Sequence, residues 1–212
     1  MKIAYPKLPK LLTATSDLVG VIETYEDEVE YHFFEKQTIT NAVKEQLSFQ
    51  SCRFKDCTFS NCDFKSIRFF DVEFVNCDFS NSNLRGAGLC RVVFTNCKLL
   101  GVNLTNSRWN HVTLKECSAP YLFLTTTKMR AVHFIQTDFL ESAFDDCCLE
   151  YLLFDFCNLT GVDFSQTSLK NIDLSSSTIS GIRLNLKDLK GAIIDGMQTI
   201  ELSNFLGVIL KK

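Results

Sequence analysis

An apolar residue at every fifth position is the feature that most constrains how this chain can fold. From Phe49 to Ile194 every fifth residue is apolar, and no insertion interrupts the series. A period of five fits neither the 3.6-residue repeat of an α-helix nor the two-residue alternation of an ordinary strand. A long series at one fixed period instead indicates a solenoid, in which successive coils stack on each other.

Two further columns support this frame. The position two residues before each central residue is mostly small or β-branched, as at Cys57, Cys77 and Val92, so two columns per repeat are predicted to face inward. The position two residues after it collects Asn and Gly, which tolerate the positive φ that a sharp bend requires. These bend residues are Asn61, Asn76, Asn81, Asn96, Asn106, Asn171, Gly86, Gly101, Gly161, Gly181 and Gly191.

The repeats resemble those of the pentapeptide-repeat family, notably at Cys77-Asp78-Phe79-Ser80-Asn81 and Val162-Asp163-Phe164-Ser165. The resemblance implies an all-β fold, a right-handed quadrilateral β-helix with four repeats per coil. Residues twenty apart would then stack at the inter-strand spacing of about 4.8 Å.

The five-residue frame divides the chain into three parts. Residues 1–46 are predicted to form an N-terminal cap, because Lys44 stands where the frame requires an apolar residue, and residues 47–194 form the β-helix. In residues 195–212, Asp195 and Gln198 resemble a capping box that opens a short amphipathic helix before an apolar tail. Part of this segment is expected to cover the last coil and the remainder to serve a second subunit. The predicted dimerisation residues are Leu202, Phe205, Leu206, Val208, Ile209 and Leu210.

Cysteine placement argues against disulfides and metal binding. Eight of the ten cysteines lie in the inward column of small residues, where reduced thiols serve as apolar filler. There is no C-x-x-C pair, and His32, His111 and His133 lie far apart in sequence, so we expect no metal site and no cofactor. The chain has neither a signal-peptide pattern nor a long apolar run, so we expect a cytoplasmic protein that does not enter a membrane.

The ends of the chain carry a narrower resemblance. Met1-Lys2-Ile3 with Tyr5-Pro6, the break at Cys117-Ser118-Ala119, and the Leu206-Gly207-Val208-Ile209 ending are similar to the Qnr quinolone-resistance proteins. The similarity is greatest to the loop-free members from Gram-positive bacteria, since no loop interrupts this frame. It implies a homodimer joined at the C-termini that mimics duplex DNA, binds DNA gyrase and topoisomerase IV, and protects them from fluoroquinolones. No direct nucleic-acid binding is expected.

Charge patterning supplies an independent candidate surface. Residues 131–169 contain no Lys or Arg, and this stretch is acidic enough to steer a basic partner, although a merely solvated surface is the alternative. The candidate partner-binding residues are Asp138, Glu141, Asp145, Asp146, Glu150, Asp155 and Asp163. The twenty-residue period predicts that all of these except Glu150 and Asp155 share one edge of the rod.

Outward apolar residues form a second surface signal. Val75, Val93, Ile135, Leu153 and Phe156 are predicted to fall on one wall, to be covered either by a protein partner or by the N-terminal segment. Flat walls without a cleft, and without a nucleophile and base pair, argue against an enzyme. The alternative function is a non-catalytic interaction scaffold, or an immunity or regulatory protein, with a different protein partner.

Overall fold

The structure is a computed structural model that describes residues 2–24 and 28–206. The described strands are β1 (Thr13–Thr15), β2 (Glu28–Glu30), β3 (His32–Glu35), β4 (Thr38–Thr40), β5 (Ser48–Gln50), β6 (Arg53–Lys55), β7 (Thr58–Ser60), β8 (Arg68–Val75), β9 (Gly88–Thr95), β10 (Arg108–Lys115), β11 (Lys128–Ile135) and β12 (Cys148–Asp155). The helices are α1 (Leu18–Thr24), α2 (Leu186–Leu189) and α3 (Gln198–Leu202), and a 3-10 turn follows over Ser203–Leu206.

Parallel pairing at a spacing of twenty residues organises the whole body. Phe74 pairs with Phe94 between β8 and β9, and Val112 pairs with Val132 between β10 and β11. Outside the long strands, single parallel bridges such as Asp78 with Lys98 continue the same register. The predicted fold class, a four-sided parallel β-solenoid of the pentapeptide-repeat type, is confirmed.

We number the four faces in chain order by one central residue each, so that faces 1 to 4 contain Phe69, Phe74, Phe79 and Leu84. Strands β8 to β12 run along faces 1 and 2, where the ladders are continuous. Apart from the pair of β4 and β7 on face 3, faces 3 and 4 are held by isolated bridges. This numbering locates every outward side chain discussed below.

The corners explain how the chain turns every five residues. All eleven Asn and Gly residues predicted at bends have positive φ, for example 56° at Asn61 and 74° at Gly86. Larger residues occupy the same conformation at other corners, among them Tyr121 and Phe156. Left-handed backbone costs a non-glycine residue about 1–2 kcal/mol, so the coil-to-coil hydrogen bonds must impose the bend there.

The central column forms one continuous apolar core. Phe54, Phe74 and Phe94 stack along face 2 with ring centroids 4.9 and 4.8 Å apart. Ala119 is the central residue of face 3 in its coil and is fully buried. The large Trp109 is buried on face 1 of the same coil. Aromatic stacks at the strand spacing link each coil to its neighbours.

The N-terminal end differs from the prediction. Strands β2, β3 and β4 pair with β5, β6 and β7 at the twenty-residue spacing, so the regular register begins at Glu28, inside the segment assigned to the cap. Strand β1 extends the ladder further by pairing in parallel with β3. Lys44, which set the predicted boundary, is partly exposed at the open end of this first coil. A lysine is tolerated there because its ammonium group can reach water. The cap proper includes α1, whose Leu18 and Ile22 are buried in the core cluster.

Residues 2–12, here called the N-terminal arm, run along the corner between faces 1 and 2. The backbone N–H of Ala4 donates to His111 Nδ1 at 3.2 Å, and the N–H of Lys7 donates to Asp71 Oδ1 at 2.8 Å. Asp71 is only 4% exposed although it occupies an outward corner. On the apolar wall predicted on face 2, Leu153 and Phe156 remain exposed.

The C-terminal end is closed by α3. The predicted capping box is present, because the Asp195 N–H donates to Gln198 Oε1 and the Gln198 N–H donates to Asp195 Oδ1. Gln198 Nε2 also donates to the carbonyls of Leu174 and Ser177 at 2.8 and 2.7 Å. These two bonds satisfy acceptors that the end of the solenoid would otherwise leave without a partner.

Candidate functional site

Five carboxylates lie on faces 3 and 4 and at the corners that bound face 4, and we call them the acidic edge. Its members are Asp138, Glu141, Asp145, Asp146 and Asp163. Asp138 continues face 3 by pairing with Ser118 and Asn158, and Asp163 continues face 4 by pairing with Ala143 and Arg183. The register places Glu141 at the corner between faces 3 and 4, and Asp146 at the next corner, between faces 4 and 1. The five carboxylates therefore spread across faces 3 and 4 rather than along the single edge that was predicted.

Two of the five also support the backbone. Asp138 Oδ1 accepts a hydrogen bond from the Leu140 N–H at 3.1 Å, and Asp163 Oδ1 accepts one from the Ser165 N–H at 2.8 Å. Such bonds to the residue two positions on stabilise the bend that follows. Asn158 makes the same bond to the Thr160 N–H, so an uncharged amide can take this structural role.

Arg183 enters the acidic edge from the next coil. Its Nη1 lies 3.1 Å from Glu141 Oε2, and its Nε lies 3.5 Å from Asp163 Oδ2. Burial by itself would raise the pKa of Asp163, but hydrogen bonds from Ser165 and the charge of Arg183 outweigh it and hold that pKa below its usual value. Arg183 lies beyond residues 131–169, so the charge pattern of that stretch did not predict its contact with the acidic residues. Its position twenty residues after Asp163 could have predicted that the two side chains are neighbours.

The other three carboxylates have no Lys or Arg partner in the described part of the chain. Asp145 accepts a hydrogen bond from Thr125 Oγ1 at 2.7 Å, and Asp146 is exposed at a corner. Within residues 2–24 and 28–206, no Lys or Arg nitrogen lies within 4 Å of Asp138, Asp145 or Asp146. These three therefore carry the uncompensated negative charge of the edge.

Two exposed aromatic residues border the acidic edge. Tyr121 lies one coil before Glu141 in the same corner column, and Phe123 pairs with Ala143 on face 4. Their side chains are 50% and 48% exposed. Sequence reasoning did not single them out, although each occupies an outward position of the frame. Large aromatic residues beside charged groups are typical of protein interfaces.

The remaining two predicted acidic residues lie elsewhere. Glu150 and Asp155 belong to β12 on faces 1 and 2, away from the acidic edge. Glu150 lies 3.7 Å from Arg130, and Asp155 lies 2.5 Å from His133 Nε2. The acidic stretch therefore winds around the rod, and only its members on faces 3 and 4 form a common surface.

The C-terminal residues divide between cap and surface. Leu202 is 5% exposed and belongs to the core of its own chain, and Phe205 packs partly against that core. Met197 and Ile200 of the same segment point outward, 74% and 54% exposed. Of the other predicted dimerisation residues, Leu206 ends the described chain, and Val208, Ile209 and Leu210 lie outside the described residues.

Eight of the ten cysteines are buried, and these eight are the ones in the inward column. All ten are free, and burial raises the pKa of Cys52 and Cys147 to about 12 and that of Cys157 to about 11. Thiols with such pKa values stay protonated at neutral pH and serve as apolar filler. In the described part of the chain, no three His, Cys, Asp or Glu side chains converge as metal ligands. The described helices include none long and apolar enough to cross a bilayer.

Two family models match the repeat region. Residues 47–124 match a model described as a pentapeptide repeat region, and residues 153–191 match one described as pentapeptide repeats in eight copies. Together they cover more than half of the chain. The chain belongs to the pentapeptide-repeat family. No curated protein matches the sequence.

Two solved pentapeptide-repeat structures are similar to this fold. One is a trypsin-treated variant of QnrB1, a plasmid-mediated fluoroquinolone resistance protein, at 16% identity and a TM-score of 0.51, covering 95% of this chain and 99% of that one. The other is HetL from the cyanobacterium Nostoc sp. strain PCC 7120, involved in heterocyst differentiation regulation, at 14% identity and a TM-score of 0.51. That match covers 80% of this chain and 86% of HetL. At these identities the likeness shows the fold.

Proposed function

We propose that this pentapeptide-repeat protein is a non-catalytic DNA mimic that binds DNA gyrase and topoisomerase IV and protects them from fluoroquinolones. The acidic edge is the observation that carries the proposal, because a rod with a negative edge can enter a groove built for duplex DNA. The fold likeness to QnrB1, a fluoroquinolone resistance protein, supports the same role. Because gyrase and topoisomerase IV act on the bacterial chromosome, we propose that the protein acts in the cytoplasm.

The charge density of the acidic edge limits how closely it can imitate duplex DNA. Duplex DNA carries one charge per about 1.7 Å of its axis, a higher density than these five carboxylates provide. The edge is therefore expected to set encounter rate and orientation rather than to copy every phosphate contact. Asp138, Asp145 and Asp146 would face Lys and Arg of the enzyme, while Tyr121 and Phe123 supply apolar contact area.

The test compares two pairs of acids from the same stretch of sequence. Changing Asp145 and Asp146 to Asn should weaken gyrase binding roughly tenfold, flatten its salt dependence and reduce protection of supercoiling from a quinolone. The matched control changes Glu150 to Gln and Asp155 to Asn, which removes equal charge from faces 1 and 2 and should leave binding unchanged. Equal binding by both pairs and the wild type would show that the acidic edge is only a solvated surface.

Substitution of Arg183 tests the same electrostatic contact by making the acidic edge more negative instead of less. Arg183→Gln removes the guanidinium that neutralises Glu141 and Asp163, so the edge becomes more negative. We expect tighter gyrase binding at low salt, with the gain disappearing as ionic strength rises. Weaker binding by this variant, with its fold retained by circular dichroism, would argue against an electrostatic contact at this edge.

We further propose that the protein is a homodimer joined at its C-terminal ends. Met197 and Ile200 expose apolar side chains beside the cap while Leu202 holds the cap to its own coil. A two-fold axis there would set two acidic edges on either side of the centre of the dimer. Changing Met197 and Ile200 to Ser should yield monomers by light scattering, whereas Thr199→Ala, an exposed polar control, should not. A wild-type monomer at micromolar concentration would refute the dimer.

A further inference from the structure

A cleft of about 620 Å³ opens on face 1. Gly88 in β9 lies at its floor and pairs on one side with Arg68 and on the other with Arg108. A second depression at the corner between faces 4 and 1 shares these three residues, so the two form one trough. Volumes of several hundred cubic ångströms are typical of small-molecule sites.

The backbone conformation at Gly88 does not require a glycine. Its φ lies outside the left-handed region, unlike that of the corner glycines, so any residue could occupy this strand position. A Cβ placed here would contact Arg68 Cγ at 3.6 Å, an ordinary distance. Glycine inside a strand lowers stability and often marks a close approach by a ligand. The absent side chain leaves a gap between the two arginines.

The trough carries positive charge that the protein does not neutralise. Arg53, Arg91 and Arg183 each have a carboxylate partner within 4 Å. In the described part of the chain, Arg68 and Arg108 have none. Their Cα atoms lie two strand spacings apart, about 10 Å, which lets both guanidinium groups reach one anion placed over Gly88. Guanidinium groups match phosphate geometry well.

The opposite end of the trough suits a planar polar group. The exposed ring of Phe70 lines it, and Arg91 lies over that ring with its guanidinium carbon 4.2 Å from the centroid. Gln50 and Glu28 line the same end and offer an amide and a carboxylate. A nucleobase can stack on an aromatic ring and hydrogen-bond such groups through its edge. Glu28 would repel phosphate, which orients the anionic part of a ligand toward Gly88.

We propose that this trough binds a nucleotide, with its phosphates held by Arg68 and Arg108 over Gly88 and its base against Phe70. The site lies on face 1 and is independent of the acidic edge and of topoisomerase binding. Calorimetric titration of the full chain with ADP, adenosine and pyrophosphate tests it. ADP should bind more tightly than either fragment, because adenosine lacks the anion and pyrophosphate lacks the base.

Single substitutions separate the contribution of charge to ADP binding from that of stacking. Arg68→Gln or Arg108→Gln should weaken ADP binding about tenfold to a hundredfold. Lys98→Gln removes the same charge from face 3, opposite the trough, and should have no effect. Phe70→Ala should weaken ADP but leave pyrophosphate binding unchanged. Pyrophosphate binding as tight as that of ADP would refute the nucleotide assignment.

Filling the gap tests the geometry without changing any charge. Gly88→Val adds a β-branched side chain at a strand position that accepts one, so the fold should be kept or stabilised. The variant should lose ADP binding while its melting temperature stays equal or rises. Undiminished ADP binding by Gly88→Val, or absence of ADP binding by the wild type at millimolar concentration, would overturn the proposal.

Discussion

At the scale of single residues, the inward columns and the corners obey different physical rules. An inward position requires a side chain that is apolar and large enough to fill the core, and both properties can be read from the sequence. A corner is specified by backbone conformation, and Asn and Gly reveal it because they adopt positive φ at low cost. Tyr121 and Phe156 adopt φ values of 56° and 55° without such a preference, since the neighbouring coils hold the backbone in place.

Phe134 tests the inward assignment. Its ring contacts those of Trp109, Phe139 and Phe154 at centroid distances of 6.2, 4.8 and 5.3 Å. Phe134→Ala should lower the free energy of unfolding by about 3–5 kcal/mol, because coils on both sides keep the cavity from collapsing. Phe156→Ala is the matched control, since that ring is 71% exposed and its loss should cost less than about 0.5 kcal/mol. Equal urea midpoints for the two variants would contradict the assignment.

At the scale of elements, the ends differ from the repeats because they must finish a ladder rather than continue it. The helix α1 covers the first coil, and α3 covers the last. The N-terminal arm adds a different kind of contact, since its backbone bonds to Asp71 and His111 lie along the side of the rod. These elements follow no five-residue rule, so their placement depends on which surfaces the coils leave open.

Gln198 is the polar centre of the C-terminal cap. Gln198→Ala removes the donors to the Leu174 and Ser177 carbonyls and one half of the capping box. We expect a loss of about 1–3 kcal/mol and faster hydrogen exchange confined to the last coil, because local opening becomes easier. Thr199→Ala on the exposed side of α3 is the control. Uniformly faster exchange along the whole rod would contradict a local role for Gln198.

At the scale of the whole molecule, stacking turns a sequence of charges into faces of opposite sign. Lys and Arg concentrate before residue 131, and the winding chain places Arg68 and Arg108 on face 1. The following stretch places its uncompensated acids on faces 3 and 4 and at the corner between faces 4 and 1. The two surfaces can therefore take partners of opposite charge without competing for them.

Acid stability should report on the ion pairs of this edge. The pKa of Asp163 is lowered in the folded protein, so its contribution to stability is present above the unfolded pKa of about 3.9 and is lost as pH falls through the folded value. Arg183→Gln should therefore destabilise the protein at pH 7 and have little effect at pH 2–3. Chemical denaturation of both proteins across this range measures the difference. A difference that does not vary with pH would show that Arg183 acts through packing alone.

The sequence determined the repeat and the inward columns, because both follow from one period applied along the chain, and the family resemblance added the four-sided coil. Only the tertiary structure showed that the twenty-residue register begins at Glu28, that the arm lies on Asp71, and that Arg183 neutralises part of the acidic edge. The unpaired arginines beside Gly88 also became visible only there. The physical reason is that side-chain pairing and chain ends depend on what neighbouring coils leave exposed, whereas the period acts on every residue in the same way.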